Sequence, residues 1–208
     1  LKDYHQVQKP VSPSADYRRE DFICACEKLC PDKQMPRLWD CEKMKTYGKL
    51  QNDIYMINWP IHGNDYYVNM VDMNAEQRKQ AIIKAKDHTR NFVYFMQTEL
   101  GWNTLGLADV FETKDSLPMI PYHRESRRIK GLARINMNHL EKPFTQAEPL
   151  YRTGIAVGDY PIDQHHGKNS KAPDLYFVPI PSFNIPLGSL IPEHVSNLIV
   201  AEKSISVS

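Results

Sequence analysis

The sequence is poor in glycine, with 9 glycines against 15 prolines in 208 residues. It contains no G-x-G-x-x-G turn, which a dinucleotide-binding strand–turn–helix requires, and no G-x-x-x-x-G-K-[ST] phosphate loop. The chain therefore cannot hold a dinucleotide pyrophosphate by either device. The excess of proline over glycine predicts long, fixed, irregular segments instead of flexible linkers.

The sequence also lacks a long apolar run and a dominant charge. No apolar stretch approaches the roughly 20 residues that span a bilayer. The 26 basic and 25 acidic residues leave a formal net charge of +1. Neither a nucleic acid nor a membrane surface is therefore expected as a partner. We expect a soluble protein and leave its compartment, cytoplasm or periplasm, open.

Four cysteines form a C-x-C-x3-C group followed by one more cysteine, at Cys24, Cys26, Cys30 and Cys41. Their spacing is neither the paired C-x2-C of structural zinc sites nor a ferredoxin run. The surrounding sequence FICAC favours a partly buried strand, in which cysteine acts as a small apolar residue. Core or free thiols are the favoured interpretation, disulfides and a metal or cluster the alternatives, and we expect no metal site.

The distribution of apolar residues predicts an α+β fold, with a mixed or antiparallel sheet and one long amphipathic helix. Residues 1–20 are polar and resemble a linker or an edge segment. Short apolar runs at 22–26, 49–57 and 66–71 predict strands of low regularity.

The long helix is predicted over residues 74–100. Asn74 with Gln77 three residues later is typical of an N-cap and its reciprocal partner, and Gly101 supplies the end. Apolar side chains recur at helical spacing, and the aromatic stripe near the end is expected to lie in the core.

The sequence YHRESRR at 122–128 places three arginines within five residues. Guanidinium groups suit the binding of a carboxylate, a phosphate or an electron-rich ring. From the residues alone, a solvated surface with Glu125 as an internal partner is favoured over such a clamp.

A second group follows at 160–166, in the sequence YPIDQHH. Asp163 and His165 lie two residues apart, so an extended segment presents them on one side. A carboxylate raises the pKa of a neighbouring imidazole and orients it for proton transfer. A polar loop is the competing interpretation.

The last segment, 176–208, is proline-rich up to Pro192 and then runs through the apolar Leu198-Ile199-Val200-Ala201. Such a run fits a strand buried on both faces. A buried strand needs neighbours, so we expect the chain to be a piece of a longer protein. Residues 198–208 are then expected to be displaced, frayed or paired non-natively, while the proline-rich run packs on its own domain.

Several motifs in order resemble the FAD-dependent oxidoreductase family common in Bacteroidetes and Planctomycetes, some members of which carry a xanthan-lyase-like label. The motifs are YF at 94–95, LGL at 105–107, RESRR at 124–128, GDYPIDQH at 158–165, PLGSLIP at 186–192 and NLIVAEKSIS at 197–206. Glu202 stands where the family pattern has glycine, and Lys203 where it has arginine. The resemblance covers roughly residues 50–208.

The resemblance implies the central part of a two-domain flavoprotein. Residues 21–192 would form its substrate or cap domain and residues 193–208 the first strand returning to a truncated FAD-binding domain. The parent would use FAD for hydride transfer with a small organic substrate, a carbohydrate-derived one being a candidate. The isolated piece is expected to be inactive and to hold no FAD, because the FAD-binding halves of the parent, its implied partners, lie elsewhere.

The same resemblance implies the site residues. Arg124 and Arg127 would hold an anionic substrate group or stabilise reduced flavin, and His165, oriented by Asp163, would move a proton. The backbone around the cofactor would come from Ala201, Glu202, Lys203 and Ser204.

Two other functions remain open. One is a non-catalytic ligand- or carbohydrate-binding module using Trp59, Tyr66 and Tyr67 on one sheet face. The other is iron–sulfur electron transfer through the four cysteines.

Overall fold

The computed structural model describes residues 1–35, 38–59, 62–123, 127–145, 147, 150–163 and 178–207. The chain divides into two compact units, Leu1–Pro121 and Tyr122–Ser208. The regular structure comprises small antiparallel sheets, one long helix and several short helical segments, which confirms the α+β class. No helix in the described part is long and apolar enough to cross a membrane.

The long helix of the first unit is α2, Ala75–Thr98, preceded by the short α1, Cys41–Thr46. The predicted capping box is present: the Gln77 amide donates to Asn74 Oδ1, and the Asn74 amide donates to Gln77 Oε1, both at 2.9 Å. Gly101 follows the helix with a φ of 78°, a conformation that glycine adopts without steric cost. The helix prediction is confirmed.

The core of the first unit is built on the second half of α2. Phe92 and Phe95 are fully buried, and the Phe22 ring packs on both of them. The predicted aromatic stripe is therefore core. Tyr94, which is half-buried, packs edge-on against the ring of Tyr17.

Two disulfides join the four cysteines, Cys24 to Cys30 and Cys26 to Cys41. The preference for free core thiols is wrong, and so is the iron–sulfur alternative, because every thiol is consumed. The reason lies in the backbone: residues 22–26 form turns and not a strand, which brings the paired Cα atoms to 4.4 and 5.0 Å.

The other strands predicted in this half are mostly wrong as well. Residues 66–71 carry no strand, and residues 49–57 contribute only isolated bridges, Lys49 with Tyr55 and Ile54 with Lys2. Asn52 and Asp53 take φ values of 58° and 57°, so the chain turns back within this run. A tight turn inside an apolar run prevents a regular strand.

The sheet of the first unit joins β1, Lys2–Asp3, to β2, Leu105–Gly106, in antiparallel order. Two buried amide side chains of α2 hold the segment that follows β1. Gln97 Oε1 accepts from the Val11 amide and Asn91 Oδ1 from the Ser14 amide, both at 2.8 Å. A 3₁₀ turn at Arg19–Asp21 leads into the disulfide region.

The second unit contains an antiparallel pair, β3 Gly154–Gly158 and β4 Phe183–Pro186, and the short helix α3, Met137–Glu141. Two 3₁₀ turns follow, Leu187–Ser189 and Glu202–Ser204. The register pairs Gly158 with Phe183.

The apolar run at 198–201 forms no strand in this structure, and its assignment to a returning strand stays a prediction. Leu198 is 46% exposed and Ile199 66% exposed, and the Val200 amide donates to the Leu190 carbonyl. Further along, the Ile135 amide donates to the Ser206 carbonyl at 3.2 Å. Residues 198–201 therefore form no strand, whereas Ser206 is hydrogen-bonded to Ile135.

Candidate functional site

The backbone brings the arginine segment to the end of the chain. The Ile129 amide donates to the Ser204 carbonyl at 2.9 Å, and Ile135 and Val207 form a parallel bridge. Arg127 lies two residues before the first of these bonds. Two segments that sequence reasoning selected separately therefore lie side by side.

The Lys203 side chain lies where the segments around Ile129 and Ser204 meet. We call this place the Lys203 junction. Its ammonium donates to the carbonyl of His123 and lies 3.8 Å from the centre of the Tyr122 ring. A cation over an aromatic face is attracted by the negative face of the ring. Tyr122 is 80% exposed and Lys203 half-buried, so a positive charge and a flat apolar surface stand together at the rim of this unit.

The backbone next to Lys203 has an unusual conformation. Glu202 takes a φ of 58°, in the left-handed region that glycine favours. The family pattern described above has glycine at this position, so the conformation gives that glycine a physical reason. Ala201 and Glu202 are exposed, and Ser204 is half-buried.

A close approach of backbone segments holds the junction in place. Gly131 has no room for a side chain, because a Cβ there would lie 2.8 Å from the Gly188 carbonyl oxygen and 2.9 Å from Ser206 Cβ. The Ser206 amide donates to the Ser189 carbonyl at 2.8 Å, and both serines are fully buried. The glycine and the small serines let three segments meet through their backbones.

An ion pair between Lys130 and Glu193 lies near the same backbone crossing. Lys130 Nζ lies 2.8 Å from Glu193 Oε2, and the Glu193 amide donates to the Lys130 carbonyl at 3.0 Å. The hydrogen bond from Lys130 lowers the pKa of Glu193 below its ordinary value. Glu193, which directly follows the proline-rich run, is thereby tied to Lys130, which lies two residues after the arginine run.

Asp163, a member of the predicted proton-transfer pair, lies next to a different pair of hydrogen-bonded segments. Asp163 follows Ile162, whose amide donates to the Val178 carbonyl at 3.1 Å, and this bridge shares no residue with the Lys203 junction. Arg124 and His165 lie outside the described residues. Their roles stay predictions.

The aromatic residues of the binding-module alternative do not form a sheet face. Trp59 is buried, and its indole donates to the Ala25 carbonyl, so it belongs to the core. Tyr66 and Tyr67 lie in a segment without a strand. This placement removes the main support for that alternative.

Sequence reasoning missed Tyr122 and His123 as neighbours of Lys203, and it did not select His139. No local pattern announces the first two, because they meet Lys203 across about 80 residues of chain. The sequence did contain a signal for His139, because Asn136 lies three residues before it, the spacing of the two residues of a capping box. That box is present in α3.

In the comparison with protein families, residues 2–208 match the model described as FAD dependent oxidoreductase. Comparisons with curated proteins and with solved structures returned no match. The family implies FAD as the cofactor of the protein and a redox role for it. Since the match spans nearly the whole sequence, the chain belongs to the FAD dependent oxidoreductase family.

Proposed function

We propose that the chain forms the substrate-binding side of the flavin site in a FAD-dependent oxidoreductase. The observation that carries this proposal is the junction of the two segments, which sets the Lys203 ammonium beside the Tyr122 ring and on the His123 carbonyl. The reaction would be hydride transfer with a small organic substrate. The xanthan-lyase-like subtype that the motifs resemble favours a carbohydrate-derived one.

The residues present fit one end of FAD and not the other. A lysine ammonium, an exposed tyrosine ring and exposed backbone at 201–202 suit a planar ring that gains negative charge on reduction. The pyrophosphate has no such counterpart, because the sequence lacks a glycine-rich phosphate turn. We therefore assign the ring end of the cofactor to this chain and the ADP end to residues outside it.

When bound, FAD accepts a hydride equivalent from a substrate or returns one. The residues of this chain would bind and orient that substrate. The guanidinium groups of Arg124 and Arg127 would bind its anionic group, and the Lys203 ammonium would stabilise negative charge at the junction. His165, oriented by the carboxylate of Asp163, would take or return the proton at a ring nitrogen.

The exposed apolar side chains support a docking surface for the nucleotide-binding part of the protein. Leu198 and Ile199 are largely exposed, and on β3 so are Ile155 and Val157. Apolar side chains in groups of this kind mark interfaces. We propose that the FAD-binding halves cover them.

Substitutions of the arginine and histidine test the assigned roles. In the FAD-loaded protein, Arg124→Ala and His165→Ala are expected to lower kcat/KM by about 100-fold or more, the usual scale for a lost proton-transfer group or ionic contact. Arg152→Ala, an exposed arginine of the same unit, is the matched control and is expected to leave kcat/KM unchanged. Unchanged kinetics in the first two variants, at equal FAD content, would remove the proposal.

The 208-residue chain on its own gives a second test. Mixed with FAD and passed through gel filtration, it is expected to emerge colourless, because the pyrophosphate site is lacking. A yellow protein peak with equimolar FAD would show that the assignment of the ADP end is wrong.

A further inference from the structure

The two disulfides of the first unit cross each other along the chain. Cys24 pairs with Cys30, and Cys26, which lies between them in the sequence, pairs with Cys41 beyond them. Four cysteines can pair in three ways, and this is the crossed one. To bond a cysteine 15 residues away, Cys26 passes over the nearer Cys24 and Cys30. The native pairing therefore does not follow proximity in the sequence.

Proximity in the sequence decides which thiols meet first in an unfolded chain. The entropy lost on closing a loop grows with its length, so Cys26 meets Cys30 more often than Cys41. A disulfide between Cys26 and Cys30 blocks both native bridges, because each of them needs one of these two sulfurs. Oxidation of the unfolded chain is therefore expected to begin with wrong pairs that have to be reshuffled.

The finished bridges are placed as structural disulfides and not as a redox switch. Cys26 and Cys30 are 1% exposed, and Cys26 and Cys41 belong to the same core as Phe22, while Cys24 is half-buried. Exchange requires a thiolate to reach a disulfide sulfur, and redox-sensing cysteines are accordingly accessible to solvent. Three of the four sulfurs are out of reach in the folded chain, so reshuffling has to be complete before the core closes.

The segment that carries the cysteines has little regular structure of its own. The described residues from 22 to 40 form turns and bends, without a helix or a strand. Side-chain bonds add only a few ties, among them the Trp59 indole to the Ala25 carbonyl and Lys28 Nζ to the Leu100 carbonyl. Ordering irregular chain costs conformational entropy, and cross-links offset it by restricting the unfolded chain. Without its bridges, this segment is expected to come away from α2.

We propose that the chain is a substrate of a disulfide isomerase and matures in an oxidising compartment. Cytosolic thiols are kept reduced, so structural disulfides form and persist outside the cytosol. In each bridge, two thiols lose two electrons and two protons, and these reduce a protein disulfide of the oxidant to a dithiol. The proposal is independent of the flavin assignment.

The isomerase step needs no further oxidant. Its thiolate attacks a wrong disulfide between Cys26 and Cys30, forms a mixed disulfide with Cys26 and releases the Cys30 thiolate. The Cys41 thiolate then attacks the mixed disulfide at Cys26, so the native bond forms and the isomerase thiolate leaves. Cys24 and Cys30 are left as thiols, which the oxidant joins.

Refolding of the full 208-residue chain tests the proposed partner. The reduced, denatured chain is refolded in a glutathione redox buffer with and without a disulfide isomerase. Trypsin cuts after Lys28 and Lys33, so Cys30 leaves on a separate peptide, and tandem mass spectrometry of the linked peptides identifies the pairing. The isomerase is expected to raise the rate of native pairing by about an order of magnitude, within the seconds to hours that reshuffling takes. Equal rates would overturn the proposal.

The variant with both Cys24→Ser and Cys30→Ser is the matched control. It leaves only Cys26 and Cys41, so a single pairing is possible and the isomerase is expected to bring no acceleration. The measurement is bond formation and does not require the variant to fold. The variant with both Cys26→Ser and Cys41→Ser repeats the control with the other pair. An acceleration as large as that of the unchanged chain in either variant would contradict the proposal, because neither has a wrong pair to reshuffle.

Expression of the same chain with and without an export signal tests the compartment. Maleimide alkylation of the denatured protein counts free thiols. None is expected in the exported protein and all four in the protein kept in the cytosol, which should also unfold at a lower temperature. Both bridges in the protein kept in the cytosol, or equal unfolding temperatures of the two forms, would contradict maturation in an oxidising compartment.

Discussion

The two units of the chain are stabilised in different ways. The first has an aromatic core packed on one long capped helix, and two disulfides cross-link the segment from Cys24 to Cys41. The second relies on backbone pairing among three segments that meet at Gly131, Ser189 and Ser206, and few of its described apolar side chains are buried. The first unit is therefore stabilised by a side-chain core, and the second mainly by hydrogen bonds between backbone segments.

The largest effect should come from the disulfides of the first unit. The double substitution Cys26→Ser and Cys41→Ser is expected to lower its free energy of unfolding by about 2–5 kcal/mol. Trp39, Trp59 and Trp102 all lie in this unit, so tryptophan fluorescence during denaturation reports on it alone.

The Cys24–Cys30 disulfide provides the control. Cys24 and Cys30 are 6 residues apart against 15 for the other pair, so opening their shorter loop should cost less, since loop entropy grows with loop length. His139 resonances should stay unchanged in both variants. Loss of structure in the second unit at the same denaturant concentration would contradict the contrast between the units.

The next largest effect is expected at the backbone crossing of the second unit. Gly131→Ala places a Cβ 2.8 Å from a backbone oxygen and should destabilise this unit by about 1–3 kcal/mol, the usual cost of overpacking. The neighbouring Leu132→Ala, at a side chain that is 64% exposed, is the control and should have little effect. Hydrogen exchange of the Ser206 amide measures both, and equal exchange in the two variants would sink the prediction.

The sequence predicts the first unit's helix better than its loops, for a physical reason. The cap at Asn74 and Gln77 and the end at Gly101 are local signals, and local signals survive tertiary packing. The disulfide pairing depends on turns at residues 22–26 that no alternation of residues encodes.

The candidate site shows the same limit. The motifs selected two segments that a hydrogen bond joins, from the Ile129 amide to the Ser204 carbonyl. The contact of Lys203 with Tyr122 could not be predicted from the sequence, since it joins residues about 80 positions apart. The apolar run at Leu198 fits a buried strand by composition, yet composition does not supply the neighbours that a strand needs.

A smaller effect of opposite sign is expected at Glu202. Its left-handed backbone favours glycine, so Glu202→Gly should stabilise the second unit by about 1 kcal/mol or less. Asn197→Gly is the matched control, because asparagine at the same φ of 58° tolerates this conformation better and should gain less. Thermal unfolding followed by tyrosine absorbance ranks the two, and a destabilised Glu202→Gly variant would show that the side chain has a structural role.

The smallest effect concerns pH. The pKa of Glu193 is lowered in the folded state by Lys130, so the pair stabilises the second unit above the ordinary pKa of a glutamate. This stability is lost as the pH falls through the lowered pKa of the folded state. Lys130→Met should flatten the pH dependence of unfolding in that acidic range, whereas an unaltered profile would show that the ion pair is not its source.

The midpoint potential of FAD in the FAD-loaded protein reports on the placement of Lys203, and its measurement needs no knowledge of the substrate. A cation at the ring end favours the uptake of electrons, so Lys203→Met is expected to lower the potential. Lys130→Met, which removes an exposed lysine that is paired with Glu193, should leave the potential unchanged. Equal potentials in the two variants would contradict the placement of Lys203 at the flavin.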